Sequence, residues 1–324
     1  MNAKTLYGGQ AVIEGVMMRG RRFVACAVRD PQGVIISTSE PISPAIYNSA
    51  WSKFPFLRAM TILWDTLVLG TKMLMYSANI AVEEETRTRT QTSASSTANA
   101  GTAPTNSEAA KPGLPTGVAI GTLAVSLTFG IGLFFVLPLA LIGLVDPFLT
   151  ASFTNGDVAS LVSNILEGVI RLAIFLAYIW AISQMPDIRR VFQYHGAEHK
   201  TIAADEAGAP LTPESIQHFS KEHPRCGTGF LLVVVVVSIF VFALLGRPEL
   251  FLRIASRIVL VPVVAALSYE LIKFSSAHKD NLVLNWLVVR PSLALQSLTT
   301  REPDDQMIEV AVAALQKVKA DEAV

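Results

Sequence analysis

Phe230-Leu231-Leu232-Val233-Val234-Val235-Val236-Val237-Ser238-Ile239-Phe240-Val241-Phe242 carries one hydroxyl and no charge. A run of that kind has no polar face to turn toward water, so apolar material must surround it on all sides. It sits in the third of four apolar blocks, at about 117–145, 158–182, 228–246 and 254–275. Crossing a hydrocarbon core of about 30 Å takes roughly 20 such residues. The first and third blocks are free of charge; the second carries Glu167 and Arg171, and the fourth Arg257, Glu270 and Lys273. Pro138 and Pro262 are expected to kink their helices, which membrane helices tolerate. The expected fold class is an α-helical integral membrane protein with about four transmembrane helices and a small N-terminal β-rich cytoplasmic segment.

Composition agrees. Of the 324 residues 51% are apolar and 16% charged, against about 25% charged in soluble domains. Mean hydropathy is +0.46. The formal net charge is zero, so no overall field recruits nucleic acid. Two cysteines, Cys26 and Cys226, stand far apart and do not form a disulfide framework. No Walker A motif occurs, and the first 20 residues lack the basic-then-apolar layout of a signal peptide.

Outside the bundle, 1–50 reads as a small β-rich cytoplasmic segment. Short β-prone runs at 12–13, 16–18, 23–28 and 34–37 are punctuated by glycines, and Asp30-Pro31-Gln32-Gly33 has hairpin-turn chemistry. Such a sheet is too small to stand alone and is expected to dock on another element. Residues 51–82 read as an amphipathic helix, with Arg58, Asp65, Lys72 and Asn79 at every seventh position in one polar stripe. Residues 83–116, rich in Thr, Ser, Ala and Asn, read as a disordered linker. The bundle spans 117–275 and includes a loop at 183–227; 276–324 forms a C-terminal segment with an interfacial stretch and a terminal helix over Met307 to Lys319, preceded by Thr299-Thr300 and Asp304-Asp305 as its polar cap and acidic first turn. Basic residues set the orientation. The connection at 146–157 has neither Lys nor Arg, whereas 183–227 has Arg189, Arg190, Lys200, Lys221 and Arg225. A multi-pass protein with both termini cytoplasmic follows, with membrane lipids as its surroundings.

The chemistry concentrates in that basic loop, which holds four of the five histidines. In Tyr194-His195-Gly196-Ala197-Glu198-His199-Lys200, His195 and His199 share a helix face, so two imidazoles can bind one divalent ion. His-x-x-Glu-His is the inverted zincin order, with Glu198 as general base. His223-Pro224-Arg225-Cys226-Gly227-Thr228 adds His223 and Cys226 as donors, and Glu270 is the candidate last ligand. The expected topology brings His195, His199, His223, Cys226 and Glu270 to one membrane face. The ion is a divalent metal, with zinc first in order for nitrogen and sulfur donors. Against this stands a plainer reading: the imidazoles bond headgroups or helix ends, and His223 to Cys226 merely turns the chain. Gly196 either weakens its helix by about 1 kcal/mol or permits a close backbone approach. Glu167 and Arg171, at i and i+4, read as a neutralising pair inside a span.

The run Gly8-Gly9-Gln10-Ala11-Val12-Ile13-Glu14-Gly15-Val16-Met17-Met18-Arg19-Gly20 resembles the opening signature of the YqhQ-like family of bacterial membrane proteins. The two histidine blocks, Tyr269-Glu270, and Leu298-Thr299-Thr300-Arg301-Glu302-Pro303-Asp304 are similar to that family's other blocks. The resemblance implies a metal-dependent enzyme in a bacterial inner membrane and assigns no substrate. Glu14 and Arg19, unusual in a Gly-rich sheet, are expected to reach the histidine cluster. The sequence thus points to a metal-dependent hydrolase at the cytoplasmic membrane face, acting on a small-molecule, lipid or peptide substrate. The alternative is a non-catalytic scaffold, assembly factor or small transporter.

Overall fold

The computed structural model describes residues 6–43, 54–96, 116–246, 248–278 and 280–323. Its N-terminal part is a four-stranded antiparallel meander: β1 (Gly8–Val12), β2 (Gly15–Arg19), β3 (Phe23–Arg29) and β4 (Ile35–Pro41), paired in chain order. The turn between β3 and β4 is the one its sequence predicts. Asp30 accepts from the Val34 amide through its side chain and from the Gly33 amide through its carbonyl, and Gly33 takes φ +88°. Glycine alone adopts that region without a Cβ penalty.

Helices follow: α1 (Pro55–Ser96), α2 (Thr116–Ile131), a π-helical turn at Gly132–Val136, α3 (Leu137–Ser152), α4 (Gly156–Ile182), α5 (Pro186–Ala207) and α6 (Pro213–Gln217). After them come α7 (Thr228–Ala243), α8 (Leu250–Val259), α9 (Val261–Ala277), α10 (Leu282–Leu284), a second π-turn at Asn285–Val289, α11 (Arg290–Thr299) and α12 (Asp305–Ala323).

The sheet does dock, and on both faces. Val16, Met18, Ala25 and Ala27 pack with α5 and with Met307, Ala311 and Leu315 of α12. Met17, Val24, Cys26 and Val28 alternate to the other face and meet Met73 of α1. Strands buried on both faces read as continuous apolar runs instead of alternating ones. Burial also pushes the Cys26 thiol up to about 12, so Cys26 acts as a small apolar residue. Asp304 caps α12 by accepting from the Met307 amide, which places the helix start where the acidic cluster predicts it.

The polar stripe of α1 turns toward the rest of the protein at Arg58 and Asp65, which pair with Glu270 and Arg19; Lys72, paired with Glu40, and Asn79 are exposed. Its apolar stripe is turned out, with Trp64 68% and Leu67 64% exposed. An apolar face directed outward suits an interfacial helix and not one bathed in water. The helix also overruns its expected end at 82 and reaches Ser96. The linker expected from 83 is therefore helical over its first part, and 97–115 lies outside the described residues.

Among the described residues two helical stretches are long and apolar enough to cross a membrane, Gly121–Ser152 and Gly156–Ile182; a third exists if α8 and α9, bent by 45°, count as one. The bend falls at Leu260, just before Pro262, where the proline predicts a break. The helix α7 differs from expectation. It has 16 residues, about 24 Å of rise, because the chain turns out of the helix at Leu244 and reaches φ +64° at Gly246. Four crossing helices are thus not established by length. The stretch at 282–298, broken by the π-turn, packs alongside α7.

Leu315 is fully buried between α12 and the sheet, so Leu315→Ala is expected to cost about 2–5 kcal/mol. In detergent the cost will appear as faster proteolytic cleavage within 8–42; an unchanged cleavage rate would show that α12 does not hold the sheet.

Candidate metal centre

Pro186 starts α5 and Gly208, at φ +70°, ends it. Tyr194, His195, Gly196, Ala197, Glu198, His199 and Lys200 are all buried, which an isolated surface helix could not sustain. The seven make contacts to several elements. Tyr194 bonds the Glu14 carboxylate, and Lys200 reaches the Gln217 carbonyl at 2.9 Å and Glu302 at 2.8 Å. Gly196 lies against the backbone between α11 and α12. A Cβ there would come within 2.1 Å of the Arg301 carbonyl oxygen, and the Arg301 amide donates to Phe192 O. The close-approach reading of this glycine is the one the structure bears out.

That approach delivers the Thr299 carbonyl to His195. His195 Nδ1 lies 2.8 Å from Thr299 O, and His199 Nδ1 lies 2.6 Å from Lys221 O. A carbonyl only accepts, so each Nδ1 donates to it, and in the neutral ring Nε2 keeps its lone pair. Holding an imidazole through its far nitrogen is the usual second-shell arrangement around metal ligands. His195 Nε2 sits 3.2 Å from Cys226 Sγ. His199 Nε2 is buried with no hydrogen-bond partner among the described residues.

His195, His199 and Cys226 each offer an atom within 4.8 Å of the others. A tetrahedral zinc site with bonds of 2.0–2.3 Å has edges of about 3.5 Å, so the three atoms need only small rotamer shifts to hold one ion. Cys226 also bonds the Thr228 hydroxyl and amide.

Glu198 lies beside this group with its Oε2 buried and unpartnered among the described residues. Its carboxylate takes the Gly9 amide, and burial pushes its pKa up to about 8. Gly9 fits there only as glycine: a Cβ would come within 3.0 Å of the Glu198 side chain and 2.4 Å of Met17 O. Burial, reinforced by His195 and His223, brings His199 down to about 3 and keeps it neutral; a neutral imidazole is the ligating form. A cavity of ≈ 200 Å³ opens on Glu198, His199 and Cys226, with Gly9, Arg19 and Arg225 also in its wall.

Two expected ligands are not brought into the group. Glu270 is engaged by Arg58 through both carboxylate oxygens, because the inward stripe of α1 claims it first. His223 stands next to His199, with ring centroids 5.8 Å apart. Its nitrogens, however, face Glu206 at 3.6 Å and the Arg225 amide at 3.4 Å. Glu14 does not reach the cluster either; it bonds Arg190 and Tyr194. Arg19 does line the cavity, while paired with Asp65. His218 and His278 are exposed. Sequence reading missed Gln296, which clamps His223 by accepting from its amide and donating to its carbonyl. It also missed the two carbonyls that orient the imidazoles, since a main-chain acceptor leaves no mark on residue type.

A family model described as "protein of unknown function (DUF1385)" matches residues 54–321. The chain belongs to the DUF1385 family. It is 33% identical over 311 residues to the uncharacterized protein YqhQ of Bacillus subtilis (strain 168), covering 94% of this chain and 90% of that protein. No solved structure matches. The family resemblance drawn from the Gly-rich and histidine blocks is therefore correct, and it carries no activity with it.

In an exposed helix, Gly196→Ala would add about 1 kcal/mol of helix stability. Here the methyl group meets a main-chain oxygen that cannot rotate away, so the variant is expected to lower the thermal midpoint. A raised midpoint would contradict the close approach.

Proposed function

We propose that this chain is a metal-dependent hydrolase, with zinc as its ion, working at the cytoplasmic face of a bacterial inner membrane. The observation that carries the reading is the convergence of His195, His199 and the Cys226 thiol within 4.8 Å of one another beside Glu198, whose Oε2 has no partner among the described residues; Glu198, His199 and Cys226 line one cavity. Three protein ligands with a further position left for water or substrate is the pattern of catalytic and not structural zinc. Zinc bound there would polarise the scissile group and make a water more acidic.

The protein residues then have separate tasks. His195, His199 and Cys226 hold the ion, and the Thr299 and Lys221 carbonyls fix the imidazole rings. A cation held there would favour the ionised form of Glu198 over its burial-raised, protonated one, and Glu198 would then take a proton from water at Oε2 and return it to the leaving group as the bond breaks. Met17 and Leu69 in the cavity wall limit bulk water. The outward apolar stripe of α1 supports a membrane-adjacent substrate, a lipid or a peptide, entering beside that helix. The same reading has four crossing segments, α7 among them, and both termini in the cytoplasm.

Elemental analysis of the purified full chain tests the centre. Wild type is expected to carry close to one zinc per chain, and a His195→Ala/His199→Ala variant to lose it. Glu198→Gln should retain the metal yet fail to complement a deletion strain. Equal metal in wild type and double variant would remove the centre. Metal retained together with full complementation by Glu198→Gln would leave a structural or scaffolding site.

A further inference from the structure

Of the three groups at the candidate metal centre, Cys226 is the one that no helix carries. His195 and His199 stand on α5, whose ladder fixes both backbones. Cys226 lies in 218–227, a connection that is neither helix nor strand. Its amide donates to the His223 carbonyl at 3.2 Å and closes a turn, and its sulfur is steadied by Thr228 at the start of α7. Two contacts tie the connection to α5: His199 to the Lys221 carbonyl, and Arg225 to Glu206. Neither engages the main chain of 223–226, and the side chains of the second pair are 33% and 29% exposed.

The main-chain contact comes from α11. Gln296, 1% exposed, accepts from the His223 amide through Oε1 at 2.9 Å and donates through Nε2 to the His223 carbonyl at 3.0 Å. That carbonyl is the one the Cys226 amide uses. The carboxamide thus pairs with His223 as a residue of a neighbouring antiparallel strand would, and it grips the turn at the atom that closes it. A carboxamide presents a donor and an acceptor side by side; leucine offers neither, and an ionised glutamate only the acceptor.

Buried main-chain groups need partners wherever they lie, so Gln296 would be a purely structural residue if α11 stood apart from the metal centre. It does not. Three residues on, Thr299 O takes His195 Nδ1 at 2.8 Å. The Gln296 carbonyl accepts from the Thr300 amide at 2.8 Å and the Thr300 hydroxyl at 2.7 Å, which closes the end of α11 that carries Thr299. One turn of helix therefore sets both His195 and the Cys226 turn, 31 residues apart in the chain. Gly229 keeps α7 close to the same helix, since a Cβ there would come within 2.7 Å of Ser292 Cβ, one turn before Gln296.

We propose that Gln296 is a positioning residue for the ligand sulfur. By gripping the His223 turn from the helical turn that orients His195, it sets the 3.2 Å separation of Cys226 Sγ from His195 Nε2. The inference rests on the metal centre proposed above and names what holds its sulfur in place.

Cobalt(II) and zinc titrations of the metal-stripped full chain in detergent test this. They are read by the thiolate-to-cobalt charge-transfer band and by competition with a chelating dye. Wild type is expected to show the band. Gln296→Leu should lose most of it and bind zinc roughly 10–100-fold more weakly. In a Cys226→Ser background Gln296→Leu should cost no further affinity, because no thiol remains to be placed. If the leucine variant does not fold, Gln296→Glu, which keeps the reach and the acceptor, gives the same two readings. A wild-type band in the folded variant, or an equal loss of affinity in both backgrounds, would overturn the proposal while leaving the metal centre intact. Wild type that binds neither ion would remove the centre and this inference with it.

Discussion

The contact between the α5 backbone at Gly196 and the Arg301 carbonyl is the constraint on which the rest depends. Only a residue without a side chain lets the two main chains meet there. Their approach brings Thr299 O to His195, buries the seven-residue block and seats α12 beneath the sheet. The sheet in turn places the Gly9 amide on Glu198. A small main-chain contact thus aligns three layers, none of which could bury its apolar face alone.

Buried polar groups divide the molecule into two regimes. Around α5 main-chain carbonyls orient the imidazoles, and among the buried atoms without a partner in the described residues His199 Nε2 and Glu198 Oε2 line the ≈ 200 Å³ cavity. Within the bundle three arginines gather on one carboxylate, and Arg253 Nε and Arg257 Nη1 have no partner among the described residues. Unsatisfied atoms in native interiors are few and call for an explanation.

Much of this was legible in the sequence. Apolar blocks, the Asp30–Gly33 turn, the Asp304 cap and the i, i+4 histidines follow from local chemistry, and each appears where its pattern places it. The pairing of Glu167 with Arg171 was legible too, because intramembrane charges seek a neighbour one turn away. Its extension to Arg253 and Arg257 was not, since those reach Glu167 across helices. Glu270 is not brought into the group for a similar reason: the sequence puts it on the expected face, but Arg58, 212 residues distant, pairs with it. The seven-residue stripe of α1 was read correctly as polar, whereas its inward direction depended on partners that periodicity cannot name. The extent of α7 also escaped prediction, because an apolar run continues past the point where Gly246 lets the chain turn.

The account stands on a thiolate and two Nε2 nitrogens sharing one ion. X-ray absorption at the zinc edge of the purified wild-type chain reads that shell directly. The account predicts one sulfur at about 2.3 Å and at least two nitrogen scatterers at about 2.0–2.1 Å, with the sulfur lost in Cys226→Ser. A shell of oxygen and nitrogen alone in the wild type would contradict it.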